Sequence, residues 1–185
     1  MVSISRTKRA WQTVLAAILL IGFALWASSY HAWEFKGGLS ISDSGFFSNP
    51  RYYAQIGRLP MWKAGEYQFR VRGLPPGPLE LALPVLEATD ADRAELSSLS
   101  TIVSVTITDS SGNQTCTAKG RLSVSTDDPW ILAPHSTYFW HPRCTHIQTS
   151  RFRTYIVKVA VSDVDARSPS WTLMPVLRGG GNELP

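Results

Sequence analysis

Residues Thr101–Thr108 read TIVSVTIT and carry the clearest strand signal in the chain. Val103, Val105 and Ile107 fall on one side of an extended backbone, and the Ser and Thr side chains between them fall on the other. β-branched residues favour strands because they pack well on a pleated, half-buried surface. The stretch therefore predicts a strand with one face in an apolar core and the other in water.

The residues after this stretch predict a β-hairpin. Asp109–Asn113 has the composition of a turn, and Gln114–Lys119 returns as the second strand, with a bulge expected at Gly120. Pro84 predicts an edge position or a bulge near the end of its strand, and Pro175 predicts an edge position. The other runs with strand composition are 66–72, 79–83, 122–125, 130–132, 137–140, 151–161 and 171–177.

About eight strands, separated by turn signals at intervals of roughly ten residues, predict an all-β fold. The spacing favours a single two-sheet β-sandwich, jelly-roll-like or immunoglobulin-like. One short helix is expected, within residues 88–99, where Thr89 or Asp90 provides an N-cap. Long helices do not alternate with the strands, so the pattern argues against a parallel α/β sheet.

The N-terminal run Ala10–Ser29 contains no charged residue. Roughly 20 apolar residues in a helix cross the hydrocarbon core of a bilayer, so residues 10–30 predict one transmembrane helix or signal anchor. Arg6, Lys8 and Arg9 precede the run, which places the N-terminus in the cytoplasm and the remainder outside it. A cleaved signal peptide, cut after Ser29, is the open alternative.

These signals divide the chain into five parts. Residues 1–9 form a basic cytoplasmic terminus and residues 10–30 the membrane helix, followed by a juxtamembrane lead-in at 31–60. Residues 61–178 form the extracytoplasmic β-sandwich, and residues 179–185 a flexible tail. The expected location is therefore a single-pass membrane protein whose C-terminal domain is periplasmic or extracellular.

The formal net charge of +4 suggests a nucleic-acid partner, but the charge distribution argues against one. After the basic N-terminus, fifteen basic residues face fourteen acidic ones. A phosphate-binding surface needs clustered cations, and the sequence order shows no cluster. We therefore expect no nucleic acid, a membrane contact through residues 10–30, and a protein partner.

Cys116 and Cys144 predict a disulfide, because an exported domain matures in an oxidising compartment. A metal site is the weaker alternative for this region, since imidazole and thiolate bind zinc or copper. Its ligands would be His135, His141, Cys144 and His146, but their spacing matches no strong zinc pattern. The prediction is a disulfide and no metal or other cofactor.

Four aromatic residues are weak candidates for a sugar-binding platform: Trp130, Tyr138, Trp140 and Trp171. Filling the core of a sandwich is the more ordinary role for such side chains. Three clusters of acidic residues are weak candidates for calcium sites: Asp90 with Asp92 and Glu95, Asp127 with Asp128, and Asp163 with Asp165.

No nucleophile motif or phosphate-binding loop is present in the extracytoplasmic part of the sequence. The sequence therefore predicts a membrane-anchored, non-enzymatic β-sandwich that binds a protein partner or serves a cell-envelope role. A lectin-like sandwich for carbohydrates or small ligands and a copper- or zinc-handling domain are the alternatives.

Overall fold

The computed structural model describes residues 3–28, 35, 38–42, 51–123, 130–166 and 171–179. The chain divides into two compact units, Met1–His31 and Ala32–Pro185. The first unit contains one helix, α1 (Ser3–Ser28), of 26 residues. Side chains are described for residues 11–26 of this helix, and all of them are exposed. Searched over the described residues, the structure holds no helix with both the length and the apolarity for a membrane crossing.

The second unit is mostly β-structure, which confirms the all-β prediction. Its described strands are β1 (Gly38–Ser42), β2 (Arg51–Gln55), β3 (Leu59–Pro60), β4 (Gly65–Arg72), β5 (Gly77–Leu86), β6 (Ile102–Asp109), β7 (Gln114–Ser123), β8 (Trp130–Leu132), β9 (Tyr138–Trp140), β10 (Ile147–Thr149), β11 (Thr154–Ser162), β12 (Thr172–Leu173) and β13 (Val176–Gly179). A 3₁₀ turn (Asp90–Asp92) leads into the short helix α2 (Arg93–Leu96), where the sequence predicts a helix.

The strands form one curled sheet with the order β1-β2-β13-β5-β9-β8-β7-β6-β11-β4. Strand β7 connects two parts of this sheet. Most of β7 pairs with β6, while Leu122 and Ser123 pair in parallel with β8. The other pairings are antiparallel, and β10 and β12 pair with β5 off the main path. We call β4, β11, β6 and β7 the four-stranded region, and β9, β5, β13 and β2 the C-terminal region.

The hairpin predicted at Asp109–Asn113 is confirmed. The Asp109 carboxylate accepts hydrogen bonds from the backbone N–H groups of Ser111 and Asn113, each at 2.9 Å. Gly112 adopts a φ of 81°, which glycine tolerates without steric cost. The register shifts between Ile107 and Thr108, where Thr115 of β7 is the extra residue, and it passes through Gly120 without a shift.

The edge positions predicted from Pro84 and Pro175 are wrong. Pro84 lies in β5, which has partner strands on both sides. The ladder tolerates it because the neighbouring Val85 N–H donates to Thr137 O, and Pro84 O accepts from Met174 N–H. Pro175 falls in the gap between β12 and β13, where its missing N–H removes no ladder bond.

Residues 31–60, predicted as a lead-in, contribute three strands to the sheet. β2 pairs with β13, β1 pairs with β2, and β3 pairs with β12. Phe35 and Ala54 are buried in the core. The compact unit accordingly begins at Ala32.

The buried apolar residues that the structure describes form a core inside the curled sheet. Val105 and Val157 enter it from the four-stranded region, and Leu81 and Phe139 enter it from the other side. Val105 and Val157 alternate with less buried residues that face outward, as the pleat requires, whereas residues 79–83 of β5 are all buried. The outward face of the four-stranded region is therefore the surface left for function.

Candidate functional site

The outward face of the four-stranded region is polar and exposed. The strand register brings Lys158 on β11 between Gln68 on β4 and Thr106 on β6. Two residues along, Ala160 lies between Glu66 and Ser104. These rows form the centre of the face.

A groove of about 440 Å³ runs across these rows. Ser104 and Ala160 are small register neighbours, so the surface is lowest between the longer side chains of Glu66 and Lys158. The groove is lined by Glu66, Tyr67, Gln68, Ser104, Thr106, Lys158, Val159 and Ala160. Its volume is within the range of small-molecule sites, and its outward-facing lining is polar.

Five cations lie on the same face, with Lys158 in the lining of the groove and the other four beyond it. All five are exposed, and the alternation of their strands directs them outward with the groove residues. Among the residues that the structure describes, none of the five takes part in an ion pair. We call this set the basic face: Arg70, Arg72, Lys119, Arg121 and Lys158.

The basic face corrects the expectation that the cations do not cluster. In the sequence these residues are separated by up to 88 positions, and only strand pairing brings them together. The one local signal was the alternation of Arg70 and Arg72 with the core residue Val71. That alternation placed both arginines on one face, but it did not show which strands would lie beside them.

The predicted disulfide between Cys116 and Cys144 is present. Their Cα atoms are 5.4 Å apart, and both residues are buried. Cys116 belongs to β7, whereas Cys144 ends the 3₁₀ turn Pro142–Cys144 beyond β9. The bond therefore ties the four-stranded region to the chain on the other side of the core.

The alternative metal ligands do not assemble. Cys144 is bonded to Cys116, and His135 and His146 are exposed in separate turns. His141 is buried, and its Nδ1 accepts a hydrogen bond of 3.0 Å from Arg143 N–H at the start of the 3₁₀ turn. No three His, Cys, Asp or Glu residues of the described part of the chain lie where they could share an ion.

His141 is thus a structural cap of its turn. Its ring meets the Trp130 ring edge-on, with centroids 5.1 Å apart. Burial lowers the pKa of His141, and the charge of Arg143 lowers it further. The neutral imidazole is therefore favoured in the folded protein.

The four candidate aromatics do not form one platform. Trp130 is fully buried, and its Nε1–H donates to Val103 O at 2.9 Å across the core. Trp171 is also buried, whereas Tyr138 and Trp140 are half-buried on the outward face of β9. Trp130 and Trp171 therefore serve the core.

Tyr138 belongs to an ion-paired cluster on the outward face of the C-terminal region. Arg178 Nε donates to Glu80 Oε1 at 3.0 Å, and Arg178 Nη2 donates to the same oxygen. The Arg178 guanidinium lies 4.3 Å above the Tyr138 ring. Glu80 is 1% exposed, so Arg178 compensates a carboxylate that has left water. We call Glu80, Arg178 and Tyr138 the ion-paired cluster.

Two of the calcium candidates are used in the fold. Asp92 accepts hydrogen bonds from the N–H and hydroxyl of Thr89 at 2.7 and 2.8 Å. Asp165 accepts from the N–H and hydroxyl of Ser100 at 2.9 and 3.0 Å. The pair at 127–128 lies outside the described residues. These contacts are those of turn and cap residues.

No protein-family model matches the chain, and no curated protein is similar to it in sequence.

Proposed function

We propose that this chain is a membrane-anchored, extracytoplasmic binding module of the cell envelope that acts without catalysis. Its N-terminal helix holds the β unit at the membrane, and the basic face contacts the ligand. The observation that carries the proposal is the 440 Å³ groove bordered by exposed cations that form no ion pair with described residues. Such cations remain available to a ligand.

The membrane anchor is supported by the composition and length of the N-terminal segment. Ala10–Ser29 is uncharged. The side chains of α1 that the structure describes end at residue 26, so they do not cover the whole of this uncharged run. The 26 residues of α1 extend for about 39 Å at about 1.5 Å each, and the hydrocarbon core is about 30 Å thick. Arg6, Lys8 and Arg9 favour a cytoplasmic N-terminus. The disulfide is consistent with an extracytoplasmic β unit.

We further propose that the two regions of the curled sheet act as the two layers of a β-sandwich. Side chains of both regions share one core. The Trp130–Val103 hydrogen bond and the Cys116–Cys144 bond each join the four-stranded region to chain outside it, at β8 and at the turn after β9.

A binding role is favoured over catalysis by the solvent exposure of the groove. Glu66 and Lys158, its charged residues, are both exposed. General acid–base catalysis usually depends on groups whose proton affinity is changed by burial and close neighbours. Exposed charges suit reversible recognition instead.

A protein partner is the second candidate, supported by strand β4. β4 ends the order of described strands, and an edge strand can pair with an extended peptide. Trp62, just before this strand, is 50% exposed. Binding at this edge would use the backbone of β4 rather than the basic face.

The location is tested with a C-terminal reporter on the full chain. We expect alkaline phosphatase fused after Pro185 to be active in cells, because that enzyme needs an oxidising compartment. If the phosphatase fusion were inactive and only a reporter that works in the cytoplasm were active at the same position, the location would be contradicted.

Ligand binding by the face is tested by thermal unfolding of the full chain in detergent, with and without cell-envelope extract. A ligand that binds the folded state raises Tm. Ser104→Trp fills the groove, and Gln148→Trp places the same side chain on the exposed face of β10 as a control. We expect the extract to raise the Tm of the wild type and Gln148→Trp, but not of Ser104→Trp. Equal shifts in all three, or none in any, would reject the face as the binding surface.

A further inference from the structure

We propose that the ligand of the basic face is an acidic polysaccharide, a chain of sugar rings that carries carboxylate, sulfate or phosphate groups. This inference rests on the proposed function, since it names the ligand of the same face. It is argued from the position of the cations, the groups between them and the composition of the face.

The cations lie at both margins of the groove. Arg70 and Arg72 are on β4, and Lys119 and Arg121 are on β7, three strands away. Strands lie about 4.8 Å apart, so β4 and β7 are separated by roughly 14 Å, and the register also offsets Arg70 from Lys119 by four residues along the strands. Lys158 lies between them on β11. A polymer with several anionic groups can therefore contact more than one cation, whereas a single small anion cannot.

Besides Lys158 and the carboxylate of Glu66, the polar side chains that line the groove are mostly neutral. Gln68, Ser104 and Thr106 line the groove, and Thr117 lies beside Thr106 in the register. Hydroxyl and amide side chains both donate and accept hydrogen bonds. Sugar hydroxyls have the same dual capacity, so the face matches a ligand with hydroxyls between its charges.

The lining of the groove is unlike the core of a protein interface. Such cores are depleted in Lys, Glu, Ser and Ala and enriched in aromatic residues, Met and Arg. Four of the eight lining residues, Glu66, Ser104, Lys158 and Ala160, are of the depleted types, and one, Tyr67, is of an enriched type. Anionic lipids are also disfavoured, because they concentrate in the cytoplasmic leaflet and the proposed location is on the other side.

The test measures binding of labelled hyaluronate, neutral dextran and polyglutamate to the full chain in nonionic detergent by fluorescence anisotropy. We expect hyaluronate to bind, and its affinity to fall as NaCl rises from about 0.05 to about 0.5 M, because salt screens exposed charges. The affinities of dextran and polyglutamate should each be lower by about tenfold or more, because dextran offers only hydroxyls and polyglutamate offers only charges.

The matched variants are Arg70→Gln/Lys158→Gln on the face and Arg58→Gln/Arg143→Gln outside it, all four at exposed positions. Both pairs remove two positive charges. We expect the face pair to lose about tenfold or more in hyaluronate affinity, because hydrogen bonds to charged groups are the stronger ones. The control pair should change by about twofold or less, because distant exposed charges are screened.

Equal binding of dextran would overturn the role of charge, and equal binding of polyglutamate would assign the face to an acidic protein. An equal loss of hyaluronate affinity in both variant pairs would show that the effect depends only on net charge. Failure of hyaluronate to bind, while envelope extract still raises Tm through a groove that Ser104→Trp blocks, would refute this inference and leave the proposed function standing. If hyaluronate does not bind and envelope extract does not raise Tm, both this inference and the proposed function are refuted.

Discussion

The outward faces of the two sheet regions use charge in opposite ways. In the C-terminal region, Arg178 binds Glu80 and lies over Tyr138, with the carboxylate almost fully removed from water. In the four-stranded region, Arg70 and Lys158 are exposed and form no ion pair with described residues. The first arrangement fixes a strand, and the second leaves cations for a ligand.

The difference shows that residue type alone does not identify a functional cation. Burying a charge has a large desolvation cost, so a buried ion pair is retained only when its geometry compensates both partners. An exposed cation has almost no such cost and contributes little to stability. Burial and pairing therefore separate structural arginines from those available to a ligand.

Breaking the ion-paired cluster should have the largest effect on the fold. Arg178→Met leaves the Glu80 carboxylate buried without its partner, which costs about 3–5 kcal/mol in comparable cases. The free energy of unfolding is measured by urea titration of the full chain in nonionic detergent. The control is Glu80→Met/Arg178→Met, which removes both charges and should recover most of the loss; no recovery would contradict the electrostatic explanation.

Removing the disulfide should have the next largest effect. The bond closes a loop with a sequence separation of 28 residues, so Cys116→Ala/Cys144→Ala should lower the free energy of unfolding by about 3.5 kcal/mol. Reductant added to the wild type should have a similar effect and none on the variant. A variant as stable as the wild type would show that the bond does not constrain the unfolded chain.

Trp130→Phe tests the contact between β8 and the four-stranded region with a smaller change. The variant keeps an aromatic ring in the core but removes the hydrogen bond from Trp130 Nε1 to Val103 O. A buried carbonyl that loses its donor costs about 1–3 kcal/mol. Urea titration measures the loss, and Trp171→Phe, with no such bond described, should lose less.

The buried imidazole of His141 predicts a pH dependence. Its pKa is lower in the folded state than in the unfolded one, so the unfolded chain binds more protons as pH falls. Stability should therefore decrease as pH falls from about 7 through about 6.5, the usual pKa of histidine. His141→Asn keeps an acceptor for Arg143 N–H and should show a flatter profile; an unchanged profile would place its cause elsewhere.

Much of the fold was predictable because local alternation is strong. Thr101–Thr108 and residues 151–161 predict β6 and β11, since β-branched residues alternate there with polar ones. The turn at Asp109–Asn113 was also visible in its composition. The edge position predicted from Pro84 was wrong because a strand with partners on both sides can accept a proline where neighbouring groups supply the ladder bonds.

The candidate site was not predictable to the same degree. Cys116 and Cys144 could be paired because they are the two cysteines of the chain. The basic face depends on which strands are neighbours, and period-two alternation in β4 or β11 does not contain that information. For the same reason, the burial of Glu80 could not be read from its strand, where acidic residues commonly face water.

The most direct test compares two properties of one variant, Arg70→Gln/Lys158→Gln. Exposed substitutions away from the core usually change stability by less than about 0.5 kcal/mol, so its free energy of unfolding should match the wild type within that margin. Its hyaluronate affinity should fall by about tenfold or more, because two charged contacts are lost. Unchanged affinity, or a loss of stability comparable to that of Arg178→Met, would contradict the claim that these cations are held for a ligand.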